Sequence, residues 1–122
     1  MAICTLCGNS FIQDRNRSRC GSCNTKIRRY RTKMAAITYL GGKCEKCGWK
    51  GNQAVFQFHH KNPAKKNFNL GNVSNKSWDT VKQEIKKCTL LCANCHMIEH
   101  SKRNEKAFLE EAQKYKGKLL EI

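Results

Sequence analysis

Acidic residues, prolines and long apolar runs are scarce in this sequence. Only nine Asp and Glu oppose 24 Lys and Arg, so the 122-residue chain carries a formal net charge of +15. A charge excess of this size raises the affinity for any polyanion and makes nucleic acid the first candidate partner. A basic protein with no nucleic-acid role is the alternative. No apolar run approaches the roughly 18–20 residues of a membrane span, so we expect no membrane partner.

Ordinary core-forming residues are also limited. The hydrophobic fraction is 39%, and the nine cysteines account for about 7 points of it. A chain of this length forms one domain, or a small domain with an appendage, and buries roughly two-thirds of its surface. Small chains with modest cores are commonly stapled by metal ions. We therefore expect metal binding to supply part of the folding free energy.

Eight of the nine cysteines form four CxxC pairs, and two such pairs offer four thiolates to one tetrahedral zinc ion. The predicted ligands are Cys4, Cys7, Cys20 and Cys23 for one structural zinc, and Cys44, Cys47, Cys92 and Cys95 for the other. A disulfide framework is disfavoured because the cysteine count is odd and no signal peptide precedes the chain, which predicts a cytoplasmic protein. The ninth cysteine, Cys88, is predicted to be a small apolar core residue.

Two segments concentrate the cations. The loop between the first two CxxC pairs contains Arg15, Arg17 and Arg19. A helix is predicted over residues 25–40, capped by Asn24 or Thr25 and ended by Gly41-Gly42. Its apolar face comprises Ile27, Tyr30, Met34 and Ile37. Its opposite side carries Lys26, Arg28, Arg29, Arg31 and Lys33. We predict that both segments contact DNA phosphates, with a merely solvated surface as the alternative.

All four histidines lie in two segments that surround the last CxxC pair. His59 and His60 close a predicted strand over residues 53–60, and His96 and His100 share one face of a helix that begins at about Ala93. Strict alternation sends His59 and His60 to opposite faces, so a shared site requires the strand to twist or to end near His59. Between them we predict a loop over residues 61–76, a helix capped by Ser77 with an apolar face at Trp78, Val81, Ile85 and Cys88, and a second strand over residues 89–91. The last helix continues, or a further one follows, before Gly117.

The chain resembles the HNH endonuclease family in the order of its features: a strand with a His pair, a loop, a second strand and a helix that begins with CxxCH. The resemblance rests on the segments GGKCEKCGW, FHHKNP, SWDTVKQEIKKC and LLCANCHMIEH, from about Gly41 to His100. It is closest to the small, free-standing HNH nucleases of bacteriophages. It implies a small, zinc-stabilised α+β fold, in which a ββα-metal core is preceded by a zinc ribbon and a basic helix. Residues 1–40 would form the ribbon and helix, and residues 41–122 the nuclease domain with its C-terminal helix.

The resemblance also implies roles for individual residues. His59, His96 and His100 would bind one catalytic divalent ion (Mg²⁺, Mn²⁺, Ni²⁺ or Zn²⁺), and His60 would be the general base. The family usually has an asparagine five residues before the last knuckle, where this chain has Lys87. Asn94, inside the knuckle, is the other candidate for orienting the base.

The expected function is that of a metal-dependent endonuclease that nicks or cuts double-stranded DNA, as a monomer or a homodimer. It would act in the cytoplasm, that of the host cell if a phage encodes it. The alternative is a non-catalytic zinc-ribbon regulator that binds nucleic acid. A junction-resolving recombination endonuclease is disfavoured, because that family prefers an Asp-His pair and a final asparagine, and neither occurs here.

Overall fold

Four helices and two small antiparallel sheets make up the α+β fold of the computed structural model, which describes residues 1–70 and 76–118, and only the backbone of residues 103–104. The strands are β1 (Ala2–Ile3), β2 (Ser10–Phe11), β3 (Phe56–His60) and β4 (Cys88–Cys92). The helices are α1 (Gly21–Tyr39), α2 (Trp78–Ile85), α3 (Ala93–Asn104) and α4 (Lys106–Lys114). In this described part, no helix combines the length and apolarity that a membrane crossing needs.

Helix α1 begins four residues earlier than predicted. Its N-cap is Cys20, which makes no side-chain capping bond, so the prediction of a cap at Asn24 or Thr25 is wrong. The early start follows from the CxxC pair: Cys20 and Cys23 belong to one sulfur cluster, and one helical turn brings residues three apart onto the same side. The predicted end is confirmed, because Gly41 and Gly42 have φ angles of 102° and 74°.

The predicted apolar face of α1 is only partly correct. Ile37 is buried, as is Ala36, whereas Tyr30 and Met34 are 60% and 56% exposed. The helix packs against the core through its C-terminal turns, where Ala36 and Ile37 lie. Its middle borders a cavity instead, so Tyr30 has no apolar layer to cover it.

Strands β3 and β4 pair antiparallel, from Phe56 opposite Cys92 to His60 opposite Cys88. The predicted strand over residues 53–60 is shorter in the structure, because Gln53–Val55 form a 3₁₀ turn in which the Asn52 side chain accepts a hydrogen bond from the Ala54 N–H. The strand continues through His60. Alternation therefore places His59 and His60 on opposite faces, and the twist or early end that a shared site required does not occur.

Helix α2 and strand β4 supply six of the thirteen buried hydrophobic residues in the described part of the chain. Ser77 caps α2 by accepting a hydrogen bond from the Thr80 N–H, as predicted. Val81, Ile85 and Cys88 are buried as predicted, but Trp78 is 38% exposed. The predicted second strand is confirmed and is longer, Cys88–Cys92 instead of 89–91, and a 3₁₀ turn at Pro63–Lys65 lies inside the predicted loop. Helix α3 begins at Ala93 as predicted, and α4 is the further helix that follows it. Residues 71–75 of that loop, and residues 119–122 at the C-terminus, lie outside the described residues.

Helix α1 shares its core with the later part of the chain. Ala36 packs in a cluster with Leu70, Val81, Ile85 and Cys88, and Ile37 packs in a second cluster with Phe56 and Leu90. These contacts hold α1 beside β3 and α2, which positions its basic residues next to the strand that carries His59 and His60. The boundary at residue 40 remains a prediction.

Candidate metal centres

The first cysteine cluster lies between the β1–β2 hairpin and the start of α1. The sulfur atoms of Cys4, Cys7, Cys20 and Cys23 all lie within 4.8 Å of one another, and those of Cys7 and Cys20 are 3.8 Å apart. A tetrahedral site with Zn–S bonds of about 2.3 Å has sulfur atoms about 3.8 Å apart. The cluster therefore fits a structural zinc ion, as predicted.

The second cluster joins segments that are distant in sequence. Its ligands are Cys44, Cys47, Cys92 and Cys95. The sulfur atoms of Cys47 and Cys92 are 3.6 Å apart across 45 residues, again close to the edge of a zinc tetrahedron. Trp49 packs against this cluster, together with Leu91. A zinc ion here would tie the segment before β3 to the end of β4.

The thiols in each cluster have divergent pKa values. Backbone N–H groups of Cys7 and Cys20 lower the pKa of Cys4 to about 6. Burial acts to raise the pKa of Cys44, but the N–H groups of Cys47 and Cys92 outweigh it and lower the value to about 6. The hydrogen bond that the Cys23 thiol donates to Cys20, together with burial, raises the pKa of Cys23 to about 12. The four thiols of a cluster can therefore all be deprotonated together only when a cation is bound, as in a zinc site.

A third cluster consists of histidines. Ligand nitrogens of His59 on β3 and of His96 and His100 on α3 all lie within 4.8 Å of one another. The Nε2 atoms of His96 and His100 are 3.0 Å apart, which corresponds to an angle of about 90° at an ion bound at about 2.1 Å. Burial, with the nearby His100 and His59, lowers the pKa of His96 and so favours the neutral, metal-binding form. We call these three residues the histidine triad.

The triad differs from the cysteine clusters in being open. Four thiolates complete the tetrahedral shell of a structural zinc ion, whereas three imidazoles leave coordination positions for water or a substrate oxygen. The triad adjoins the second cluster directly, because Cys95 and His96 are consecutive in α3. The arrangement can thus place one reactive ion beside a structural one.

His60 is not part of the triad. Its Nε2 atom lies 2.8 Å from Oε1 of Glu84, a carboxylate that is 1% exposed. The same carboxylate accepts hydrogen bonds from the Asn67 N–H at 3.0 Å and from Lys87 Nζ at 2.9 Å. Burial acts to raise the pKa of Glu84, but Lys87, the Asn67 N–H and His60 together lower it to about 2. Glu84 is therefore ionised, and His60 donates to it from Nε2.

Glu84 was missed from the sequence, although a signal for it was present. It falls between Val81 and Cys88 on the buried side of α2, where an isolated carboxylate is costly unless it is paired. A carboxylate at a core-facing helical position thus indicated a buried polar partner. That partner is His60, supported by Lys87.

The other predicted site residues are dispersed. Asn94 is exposed in the first turn of α3, outside the triad. Arg15 and Arg19 are exposed, whereas Arg17 bonds Asp14 at 3.3 Å and lies over the Phe11 ring. The cations of α1 do not form one outward surface. Lys26, Arg29 and Lys33 line a cavity beside β3, and Arg28 and Arg31 line a separate surface groove.

Three ligand clusters thus define the candidate site: two closed sets of thiols that fit structural zinc, and one open set of imidazoles between β3 and α3. The triad and the His60–Glu84 pair lie on opposite faces of the same strand. No family model, no curated protein and no solved structure matches this chain.

Proposed function

We propose that this chain is a metal-dependent DNA endonuclease of the HNH type, with β3, β4 and α3 as its ββα-metal core. The observation that carries the proposal is the histidine triad: three ligand nitrogens within 4.8 Å on a strand and a helix. The second cysteine cluster connects the same strand pair to the same helix. A purely structural protein has no need of an open imidazole site beside a closed thiolate site.

The donor set indicates which ions the triad would hold. Imidazole nitrogen suits Zn²⁺ and Ni²⁺ better than Mg²⁺, which prefers oxygen ligands. When bound, such an ion would stabilise the negative charge that develops on the leaving oxygen of a phosphodiester. His59, His96 and His100 would hold it, because the pairing of β3 with β4 positions His59 and one turn of α3 positions His96 and His100.

His60, the general base that the resemblance implied, does not fit this role, because it lies on the face of β3 opposite the triad and its Nε2 donates to Glu84. Lys87, which stands where the family has its asparagine, donates to the same carboxylate. We propose that these contacts hold β3, and with it His59, in place. His60 and the exposed Asn94 then have no direct part in cleavage.

Charge supports DNA as the substrate. The net charge of +15 favours binding to any polyanion, and exposed Arg15 and Arg19 can contact phosphates. One catalytic ion would serve one strand at a time, so the expected primary product is a nick. Double-strand cleavage would follow from a homodimer or from a second encounter.

Digestion of supercoiled plasmid tests this function. Purified protein is incubated with plasmid and Mg²⁺, Mn²⁺, Ni²⁺ or Zn²⁺, and nicked and linear products are quantified. We expect nicked circles to appear before linear DNA, with Ni²⁺ or Zn²⁺ active at lower concentration than Mg²⁺. His100→Ala, purified identically, controls for contaminating nuclease. DNA binding without cleavage in all four metals would instead indicate the non-catalytic zinc-ribbon regulator.

A further inference from the structure

A cavity of about 430 Å³ lies on the face of β3 opposite the histidine triad. Its walls come from α1, from β3, from the segment that ends at Leu70, and from α2. Phe56, Phe58 and His60, which alternate along one face of the strand, all line it. The volume falls within the range of roughly 300–1,000 Å³ typical of small-ligand sites.

The charged residues that line the cavity are all cations: Lys26, Arg29, Lys33 and Lys66. Within residues 1–70 and 76–118, no carboxylate lies at salt-bridge distance from any of these four. Lys33 is half-buried, and burial lowers its pKa. Four cations that line one cavity without an acid repel one another, and the half-buried Lys33 also loses hydration. An anionic ligand would relieve both costs.

The floor of the same cavity is apolar and partly aromatic. Phe58 and Tyr30 line it, and Leu70, Val81 and Ile85 close its base. Inorganic phosphate would satisfy the cations but leave this floor uncovered. A ligand with an anionic end and a flat, apolar body would satisfy both, since bases stack on aromatic side chains while phosphates pair with Lys and Arg.

We propose that this cavity is a nucleotide-binding site, with the phosphate among Lys26, Arg29, Lys33 and Lys66 and the base against Phe58 and Tyr30. The nucleotide is either free or a unit of a single strand, since both present the same chemistry. The site does not depend on the proposed nuclease activity, because the triad lies on the opposite face of β3 and His60, which lines the cavity, has no direct part in the proposed cleavage.

Binding without added divalent metal tests the proposal and keeps it separate from cleavage. Calorimetric titrations compare dAMP, deoxyadenosine, inorganic phosphate and the hexanucleotide (dA)₆. We expect dAMP to bind at least about fivefold more tightly than phosphate, because stacking of one base is worth at least that much. Deoxyadenosine should bind at least about tenfold more weakly than dAMP, because it lacks the charge that the four cations recognise.

The same helix supplies a charge-matched control. Arg29→Gln with Lys33→Gln removes two cavity cations, and Arg28→Gln with Arg31→Gln removes two cations that line the separate groove. We expect the first pair to weaken dAMP binding at least tenfold and the second to change it less than twofold. If the first pair fails to fold, Lys26→Gln with Lys66→Gln, both on exposed residues, replaces it.

The outcomes separate the two sources of the nucleotide. Saturable dAMP binding that depends on Arg29 and Lys33 identifies a site for free nucleotides. Failure of dAMP, together with (dA)₆ binding that depends on the same two residues, identifies a site for one unit of a strand. Equal losses in both double variants would overturn the proposal in favour of diffuse surface electrostatics. So would binding of neither probe, or phosphate binding as tight as that of dAMP.

Discussion

His60 Nε2 lies 2.8 Å from Glu84 Oε1, whereas its neighbour in sequence, His59, belongs to a cluster with His96 and His100. One strand therefore holds two histidines in different surroundings. His59 faces α3 and an open ligand set, and His60 faces a buried carboxylate from α2. Identical side chains in consecutive positions are thus expected to respond differently to the same substitution.

Histidine substitutions should distinguish the triad from the His60–Glu84 pair. We expect His59→Ala to weaken binding of the catalytic ion, with cleavage partly restored at high metal concentration. His60→Gln keeps an amide donor for Glu84 and lies outside the triad, so metal affinity and cleavage should be nearly unchanged. Plasmid nicking and metal titration measure the two effects. A fall in cleavage of about 10²–10⁴-fold in His60→Gln, with metal affinity unchanged, would instead identify His60 as the general base.

Glu84→Gln should destabilise the fold by about 2–3 kcal/mol, because the buried carboxylate bonds His60, Lys87 and the Asn67 N–H. The pKa of Glu84 is lowered to about 2 when folded, so its contribution is complete above the unfolded value of about 4.3 and is lost as the pH falls towards 2. Urea unfolding should therefore show the same deficit at pH 8 and pH 5.5.

The control for Glu84 is Glu110→Gln, which removes an exposed carboxylate 4.0 Å from Lys106 and should change stability by less than about 0.5 kcal/mol. A Glu84→Gln deficit that already shrinks between pH 8 and pH 6 would contradict the assignment of an ionised, paired carboxylate.

After mild chelation, which removes an ion held by the open triad, elemental analysis should find two zinc ions per chain. Cys92→Ser with Cys95→Ser should leave one ion and a largely unfolded protein, because a structural zinc supplies on the order of 10 kcal/mol and total stability is about 5–15 kcal/mol. Cys4→Ser with Cys7→Ser should also leave one ion, with the β3–β4 core still folded by circular dichroism.

Cys88→Ala is the matched control for zinc, since Cys88 is buried on the same strand as Cys92 but lies outside both clusters. It should keep two zinc ions and lose about 1 kcal/mol of stability. A single zinc ion in the unaltered protein would contradict the expectation that both cysteine clusters bind zinc.

Arg15→Gln with Arg19→Gln should weaken DNA binding similarly on all sequences. If each exposed arginine contacts one phosphate, the slope of log K against log salt should become shallower by about 1.8 units. Arg17→Gln should leave this slope unchanged and loosen the loop instead, because Arg17 bonds Asp14 and lies over Phe11. Filter binding at several salt concentrations measures the slopes. Unchanged slopes in the double variant would indicate that Arg15 and Arg19 do not contact phosphates and serve only to keep the protein soluble.

The elements around the clusters could be predicted because their signals are local. The CxxC spacing identifies zinc ligands directly, and the cap at Ser77 and the glycine pair after α1 mark helix ends through backbone chemistry. The i, i+4 spacing of His96 and His100 was sufficient to place both on one face. These features depend on a few neighbouring residues, which the sequence shows.

The burial of α1 and the partner of His60 could not be predicted, because both depend on contacts between distant segments. The spacing of Tyr30 and Met34 indicated a core face, but the core of this protein reaches only Ala36 and Ile37. The start of α1 at Gly21 follows from the position of Cys20 in a cluster rather than from capping preference. Glu84 is 24 residues from His60, beyond the reach of any periodicity.

Because Cys95 and His96 are consecutive in α3, the direction in which the triad histidines point around the helix axis is fixed relative to the second cysteine cluster. A helix turns by about 100° per residue. One residue inserted between them would keep His96 and His100 four apart but swing both by about 100° away from His59, while the CxxC pair kept its own spacing. An insertion or deletion at this point would therefore separate His59 from the other two histidines of the triad, although the spacing within the CxxC pair and within the histidine pair would not change.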